Sequence, residues 1–271
     1  MNPLTYFSDA AADYAKYRPT YPEVAIDKVL EGLGLPCQIV AADIGAGTGI
    51  ASRQLAEKGI KVFAVEPNAE MRQAAISHPL IEVCDGTAEA TSLPDASVDL
   101  VVCFQAFHWF NREQSLLEFR RILQKYGRLA LVWNYWELED KFTKDYFRLL
   151  IKASKPYSAR SLLTQLRRWV KKVQRLPLKL LRNCGFFLPY SCLPYFVEVG
   201  RHRFTNKQAV DLSGLIGRAQ SRGLVPRSGE GFEQLVADLT QLYSRSHSPD
   251  GLVDIVYRTR VILAEPLPEL K

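Results

Sequence analysis

The sequence predicts an α/β protein built on a doubly wound, mostly parallel sheet. Three observations carry that expectation. Short apolar runs alternate with amphipathic segments of about ten to fifteen residues through the first half of the chain. The first run ends in "DIGAGTG", with glycines at 45, 47 and 49. No paired-cysteine framework points to another class, and no uninterrupted apolar stretch reaches the roughly eighteen residues a membrane span needs.

Taken in order, "QIVAADIG" is a buried strand closed by a glycine turn, and "GIASRQLAEKG" is a helix with Ile50, Ala51 and Leu55 on one face and Gly59 as its stop. "KVFAVEP" is a second strand. "NAEMRQAAISH" is a helix opened by Asn68, whose side chain suits an N-cap. "IEVCDG" is a third strand, and "SVDLVVCFQA" a fourth, after the turn "LPDAS". "NREQSLLEFRRILQKYG" is a helix capped by Asn111 and stopped by Gly127, and "RLALVWNYW" is a fifth strand. The second half reads less regularly. "YFVEVGRHRF" is a strand, and "TNKQAVDLSGLIGRA" a helix starting at a Thr cap. "EGFEQLVADLTQLYSR" is a helix with Phe232, Leu235, Val236, Leu239, Leu242 and Tyr243 at helical spacing. "GLVDIVYRTRVILAE" alternates Val253, Ile255, Tyr257, Thr259 and Val261 on one face of a strand.

A chain of 271 residues without internal repeat or low-complexity linker is expected to form one domain over 1–271. Residues 137–195 are read as a basic, mainly helical insertion that caps the sheet's C-terminal edge. The opening "MNPLTYFSDAAADY" carries acids and no long apolar run, so no signal peptide is expected. The five scattered cysteines fit reduced thiols in a cytoplasmic protein, with Cys84 and Cys103 in the core. No His, Asp and Glu cluster has metal-ligand spacing, so no metal is expected.

Ligands of doubly wound sheets bind beyond the carboxyl ends of the strands, and the first strand–helix turn is the usual cradle. A dinucleotide fingerprint would read G-x-G-x-x-G, whereas here Ile50 stands where its third glycine belongs. Asp43 precedes the loop at a strand end, where a phosphate has little use for a carboxylate. A ligand with an ammonium and a sulfonium group suits it better. Glu66 ends the next strand, where an acid can grip two ribose hydroxyls.

At this point the sequence resembles the class I S-adenosylmethionine-dependent methyltransferases, in the small-molecule branch (type 11) that includes trans-aconitate-type enzymes. "DIGAGTG" looks like their first motif, "VEPNAEM" the second, "CDGTAEATSLPDASVDLVV" the third, "QAFHWFN" the segment after strand four and "YGRLALVWN" the strand-five motif. "FSDAAADYAKYRPTYP" is similar to the branch's pre-sheet segment. The likeness covers roughly residues 7–134, and the strands near 196–200 and 252–263 fit its closing pair. It implies a Rossmann-like sheet of seven strands with a final antiparallel strand, S-adenosyl-L-methionine as cofactor, and a small-molecule acceptor. It implies Gly45, Ala46 and Gly47 against the cofactor's amino-acid and ribose parts. Asp43 would serve the ammonium directly or through water, and Glu66 the ribose. Pro67 and Met71 would flank the adenine, and Thr87 and Ala88 would lie at its edge. The common pattern has an acid in place of Thr87, so the amino contact would pass to Glu89 or to water. Gln105 would sit beside the methionine moiety, with Tyr14 and Arg18 closing over it and Arg18 near the carboxylate.

Methyl transfer from a sulfonium is an in-line displacement that needs alignment and exclusion of water, and a base only where the acceptor must lose a proton. His108, just past strand four, stands where such a base or a hydrogen-bonded rim residue belongs. Phe107, Trp109, Tyr135 and Trp136 are expected to line an apolar acceptor pocket or to pack. The acceptor group is left open among hydroxyl, carboxylate and ring carbon. "QAFHWFN" differs from the Asn-Pro-Pro-Tyr-like run of base amino-group methylation, which argues against nucleic acid.

The net charge of +6 is uneven: Tyr146 to Val197 holds no acid and eleven basic residues. In "SLLTQLRRWVKKVQRLPLKLLR", Leu162, Leu166, Trp169, Val170 and Val173 share one helical face, and Arg and Lys crowd the others. Beside a cap packed on the sheet, three anions fit this segment: an acidic substrate; nucleic acid, which gives the alternative of a nucleic-acid methyltransferase using the basic 148–182 segment; or an anionic membrane that residues 160–182 touch peripherally and that delivers a lipid-like acceptor.

Overall fold

The computed structural model describes residues 11–75, 77–154, 195–222 and 225–268. Seven strands form one sheet in the order β3-β2-β1-β4-β5-β7-β6. β1 (Val40–Ile44), β2 (Lys61–Val65), β3 (Ile81–Cys84), β4 (Val98–Phe104) and β5 (Leu123–Trp136) run parallel. β7 (Val253–Pro266) inserts antiparallel beside β5, and β6 (Phe196–Val210) pairs antiparallel with β7 at the edge. The expected doubly wound architecture with an antiparallel closing strand is therefore what the chain forms.

Neighbouring residues of one strand feed opposite faces. Ala42, Val101, Leu131 and Trp133 belong to one buried cluster, which α5 (Arg112–Ile122) covers with Leu116 and Phe119. Ala41, Val102, Ala130 and Val132 belong to the other, covered by α2 (Glu23–Leu30) and α3 (Ile50–Glu57). Burial on both faces explains why these strands read as continuous apolar runs. The strand order reverses between β1 and β4, and that switch point fixes the position of the cleft.

The β6–β7 ribbon continues past the end of β5, and a third cluster builds on it. Tyr146 and Leu150 of α6 (Lys141–Ala153), Leu215 of α7 (Leu212–Gln220) and Leu235 and Leu239 of α8 (Glu230–Ser244) pack there with Ile255 and Tyr257. The cap thus includes two helices from the β6–β7 connection as well as the one after β5. α1 (Ala11–Tyr17) docks against α7 at Gly217, where a Cβ would fall 2.4 Å from the Tyr17 ring. Most of the expected 137–195 insertion, and with it the basic 160–182 face, lies outside the described residues. Among the described residues, no helix is long and apolar enough to cross a membrane.

Four expectations are corrected. The helix after strand four ends at Ile122 and not at Gly127: Leu123 turns extended while its N–H still reaches Phe119 O, and β5 starts there. A register shift opposite Val98 and Leu100 absorbs the residues before Arg128. The helix expected from Thr205 begins at Leu212, because pairing with β7 holds the chain extended to Val210. Asp211 is its cap, accepting from Gly214 N at 2.6 Å. The helix capped by Asn68, α4, is short (Ala69–Gln73). Cys103 is buried as expected, but Cys84, on the edge strand β3, is only partly so.

Candidate active site

The glycine loop is tied to the end of β2. Gly45 N and Ala46 N both donate to Val65 O, at 2.8 and 3.1 Å. Gly45 has φ +71°, and a Cβ there would stand 2.7 Å from Ala106 Cβ, so both conformation and space demand glycine. Gly47, at φ +60°, instead faces open space, and its N–H donates to Glu66 Oε2 at 2.9 Å. The other oxygen of Glu66 accepts from Asn68 N at 2.9 Å. Two backbone donors therefore fix this carboxylate at the end of β2. Burial still raises its pKa, against the pull of those donors. Asn68 also caps α4, accepting from Met71 N at 2.8 Å.

Asp43, at the end of β1, is 1% exposed. Its Oδ2 accepts from the Ser52 hydroxyl at 2.6 Å, and its Oδ1 has no hydrogen-bond partner. Burial raises its pKa to about 7 against the Ser52 bond, and the Glu66 charge adds to the rise. Asp43 is not among the cleft-lining side chains; it stands behind the loop.

The cleft has two lobes. One, of about 300 Å³, is walled by Glu66, Pro67, Met71, Thr87, Ala88 and Phe110. Thr87 and Ala90 exchange backbone hydrogen bonds that shape its floor. Glu89 lines this lobe too, but its Oε1 already accepts from Asn111 N at 2.7 Å. The other lobe, of about 290 Å³, is walled by Arg18, His108, Trp136, Arg218, Arg222 and Tyr257, with Ala46 at the loop. Tyr14, Gly45, Gly47, Phe104, Gln105 and Trp109 border both. Gln105 has φ +58°, a conformation a non-glycine residue holds only when its surroundings impose it. They do: its N donates to Val132 O at 2.9 Å and its Nε2 to Asn134 O at 2.8 Å.

The twelve residues singled out as cofactor contacts therefore converge on one cleft, Asp43 alone standing behind its wall. His108 faces the second lobe beside the Trp109 ring, with centroids 5.0 Å apart, and desolvation lowers its pKa. The Arg18 guanidinium lies 4.3 Å from the Tyr14 ring, and its Nη2 donates to Ser221 O at 3.0 Å. Of the four aromatics expected to line an acceptor pocket or to pack, Trp109 and Trp136 line the second lobe. Phe107 is instead core, packed on Phe110 and Phe119, and Tyr135 sits on the other sheet face under Arg260. Tyr21, Asn134, Arg218, Arg222 and Tyr257 escaped sequence reasoning. They come from the entry to α2, the end of β5, α7 and the residues just after it, and β7; Tyr21 and Asn134 lie at the ends of the pre-sheet and strand-five segments without standing out there, and Arg218, Arg222 and Tyr257 sit in no local motif.

Residues 42–131 match the family described as a methyltransferase domain. An uncharacterized methyltransferase of Mycobacterium tuberculosis is 40% identical over 131 residues, 47% of this chain and 51% of that protein. One from Schizosaccharomyces pombe is 35% identical over 130 residues, 47% of this chain and 52% of its own length. The chain thus spans about half the length of the curated relatives it matches. A solved structure from Anaeromyxobacter dehalogenans, of a candidate type II methyltransferase, shares the fold across 93% of this chain and 100% of that one, with a TM-score of 0.60 at 21% identity. The glycine loop, the Glu66 carboxylate held at the end of β2 and this strand order accompany that match to a methyltransferase domain over residues 42–131.

Proposed function

We propose that the protein transfers a methyl group from S-adenosylmethionine to a small-molecule acceptor. The Glu66 carboxylate carries this reading. It is fixed by Gly47 N and Asn68 N at the mouth of an elongated lobe. A carboxylate that burial has made costly, with lone pairs to spare, is a receptor for a pair of hydroxyl donors such as a ribose diol. Met71, Pro67 and Phe110 offer that lobe the apolar walls an adenine needs. The orphaned Oδ1 of Asp43 fits a nearby ammonium, and the buried, unpartnered Nε of Arg18 fits a carboxylate.

S-adenosylmethionine supplies a methyl group already activated by a positive sulfur. The protein's own part is to bind, orient and dry. Gln105, locked by Val132 and Asn134, gives the junction of the two lobes a rigid edge. Tyr14 and Trp109 border both lobes and exclude water from the path between them. His108 faces the acceptor side with its imidazole kept neutral by desolvation, so it can accept a proton from a hydroxyl acceptor or orient it.

Calorimetry tests the cofactor assignment. Glu66→Ala is expected to weaken S-adenosylmethionine binding by about 1–3 kcal/mol, and Gly47→Val to block it. Unchanged affinity in both, or preferential binding of a nicotinamide dinucleotide, would sink the assignment. The acceptor is sought by mass spectrometry of metabolite, nucleic-acid and lipid extracts incubated with isotopically labelled cofactor. Label in nucleic acid would favour the alternative in which the acid-free segment tracks a phosphate backbone.

A further inference from the structure

β6 ends the sheet, and among the described residues β7 is its one strand partner. Its other edge presents backbone donors and acceptors to solvent without a ladder. After Gly200 its side chains alternate: Arg201, Arg203, Thr205 and Lys207 are exposed on one face, and His202 and Phe204 are half-buried on the other. Arg203 stands directly opposite Arg260 of β7, with Arg201 and Arg258 two residues away along each strand. Most of this charge is matched. Arg201 meets Glu198 at 2.6 Å, Lys207 meets Asp254 at 3.1 Å, and Arg258 pairs with Glu137. Among the described residues, no carboxylate pairs with Arg203 or Arg260. Residues 155–194 hold no acid that could serve them either. Arg260 lies 4.7 Å from the centre of the Tyr135 ring, and its Nε is buried with no acceptor. Burial lowers its pKa, and Arg203, Arg258 and Arg201 add to the fall.

Charge on an edge strand guards against pairing with a second copy, because two such edges bring arginine to arginine. A guard accounts for Arg201 and Arg203. It gives no reason for Arg260, one strand further in, where a like charge opposite Arg203 only weakens the β6–β7 ladder. A carboxylate arriving at the edge would relieve both. Between Arg201 and Lys207 the exposed face has no apolar side chain to insert into a membrane. The aromatic ring beside it, Tyr135, is covered by Arg260 and offers no open face to a nucleic-acid base.

We propose that the free edge of β6 takes up an extended acidic segment of a partner protein as an eighth strand. Carboxylates at every second position of that segment face Arg201 and Arg203, with Arg260 behind them, and the apolar residues between lie beside His202 and Phe204. The backbone ladder supplies affinity and the alternate carboxylates supply selectivity. This surface lies outside the cleft and does not depend on the methyltransferase reading.

Four fluorescein-labelled heptapeptides test it by anisotropy: Glu alternating with Val, Gln with Val, Lys with Val, and Glu with Pro. The last keeps the charge but cannot form a ladder. The Glu–Val peptide is expected to bind about tenfold or more tighter than each of the others, and to weaken as salt rises. In hydrogen exchange the complex should slow amides within residues 199–207. Arg203→Glu should weaken the Glu–Val peptide about tenfold or more and strengthen the Lys–Val peptide, a gain that loss of folding cannot produce. Arg203→Lys should keep most of the wild-type preference. Equal binding of the Glu–Val and Glu–Pro peptides would leave charge attraction without a strand and overturn the proposal. So would binding by none of the peptides, protection confined to other residues, or tighter binding of a thymidylate oligonucleotide or of phosphatidylserine vesicles at these residues. The comparison of peptides on the wild-type protein stands even where a variant misfolds.

Discussion

Replacing Asp43 with Asn should make the ligand-free protein more stable in a pH-dependent way while weakening cofactor binding. The Asp43 carboxyl is fully buried, has one hydrogen bond from Ser52 and titrates at about 7. In the unfolded chain it titrates near 3.8. Its folded value is raised, so its contribution to stability is fully present below pH 3.8 and is lost as pH rises to about 7. Above that the ionised group costs the fold about 4 kcal/mol. At about pH 4.5, where the unfolded state is already mostly ionised and the folded state is still protonated, the cost is about 1 kcal/mol. Asn abolishes this titration. Its amide must still find an acceptor, a penalty of about 1–3 kcal/mol that does not change with pH. The stability difference, variant minus wild type, should therefore rise by about 3 kcal/mol between pH 4.5 and pH 8.5, whatever the packing cost. Urea unfolding at the two pH values reads it directly. An equal difference at both would show that Asp43 does not titrate in this range, and the argument from its buried charge would fall. A cationic ligand beside Asp43 draws the proton off, so S-adenosylmethionine affinity should climb as pH rises toward 7 in the wild type and lose that dependence in Asp43→Asn.

Other outcomes follow from the same geometry. Gly45→Ala places a Cβ 2.7 Å from Ala106 Cβ at φ +71°, and should destabilise the fold by about 1–3 kcal/mol in urea unfolding. His108→Ala should lower kcat with little change in cofactor affinity. Because burial lowers the His108 pKa, the wild-type acid limb of kcat should fall below the usual imidazole value; turnover unchanged across pH would remove the residue from the chemistry. For the acid-free segment, co-sedimentation with anionic vesicles should weaken as salt rises and vanish on replacing Arg167, Arg168, Lys171 and Lys172 with Gln. No binding at low salt leaves the cap reading.

The parallel half of the sheet was legible because its central strands β1, β4 and β5 are largely buried on both faces and its elements are separated by turns with glycine or Asx chemistry. Where the punctuation was missing, the reading slipped. Leu123 leaves α5 with no glycine or proline to announce it, so Gly127, the next visible breaker, looked like the stop. In β6 alternate residues reach solvent, so Thr205, Asn206, Lys207 and Gln208 read as a polar helix start. Only the ladder with β7 makes them strand: Asn206 opposes Tyr257, and its Nδ2 donates to Thr20 O at 2.7 Å.

The same division runs through the site. Everything the loop and the first two strand ends contribute lies within one local pattern, from Asp43 to Met71. The opposite wall is assembled from α7 and β7, far along the chain, and no spacing rule connects Gly47 to Arg218. That separation hides a property of the assembled cleft. Its described lining places Glu66 and Glu89 in one lobe with no basic residue, and Arg18, Arg218 and Arg222 in the other with no acid. Across a low-dielectric cleft such a division sets a field along its length. Hydroxyl donors and cationic groups are drawn to the acidic lobe, and oxyanions to the arginines. The chain's overall charge of +6 carries no trace of this polarity, because it arises only when α7 closes over the loop.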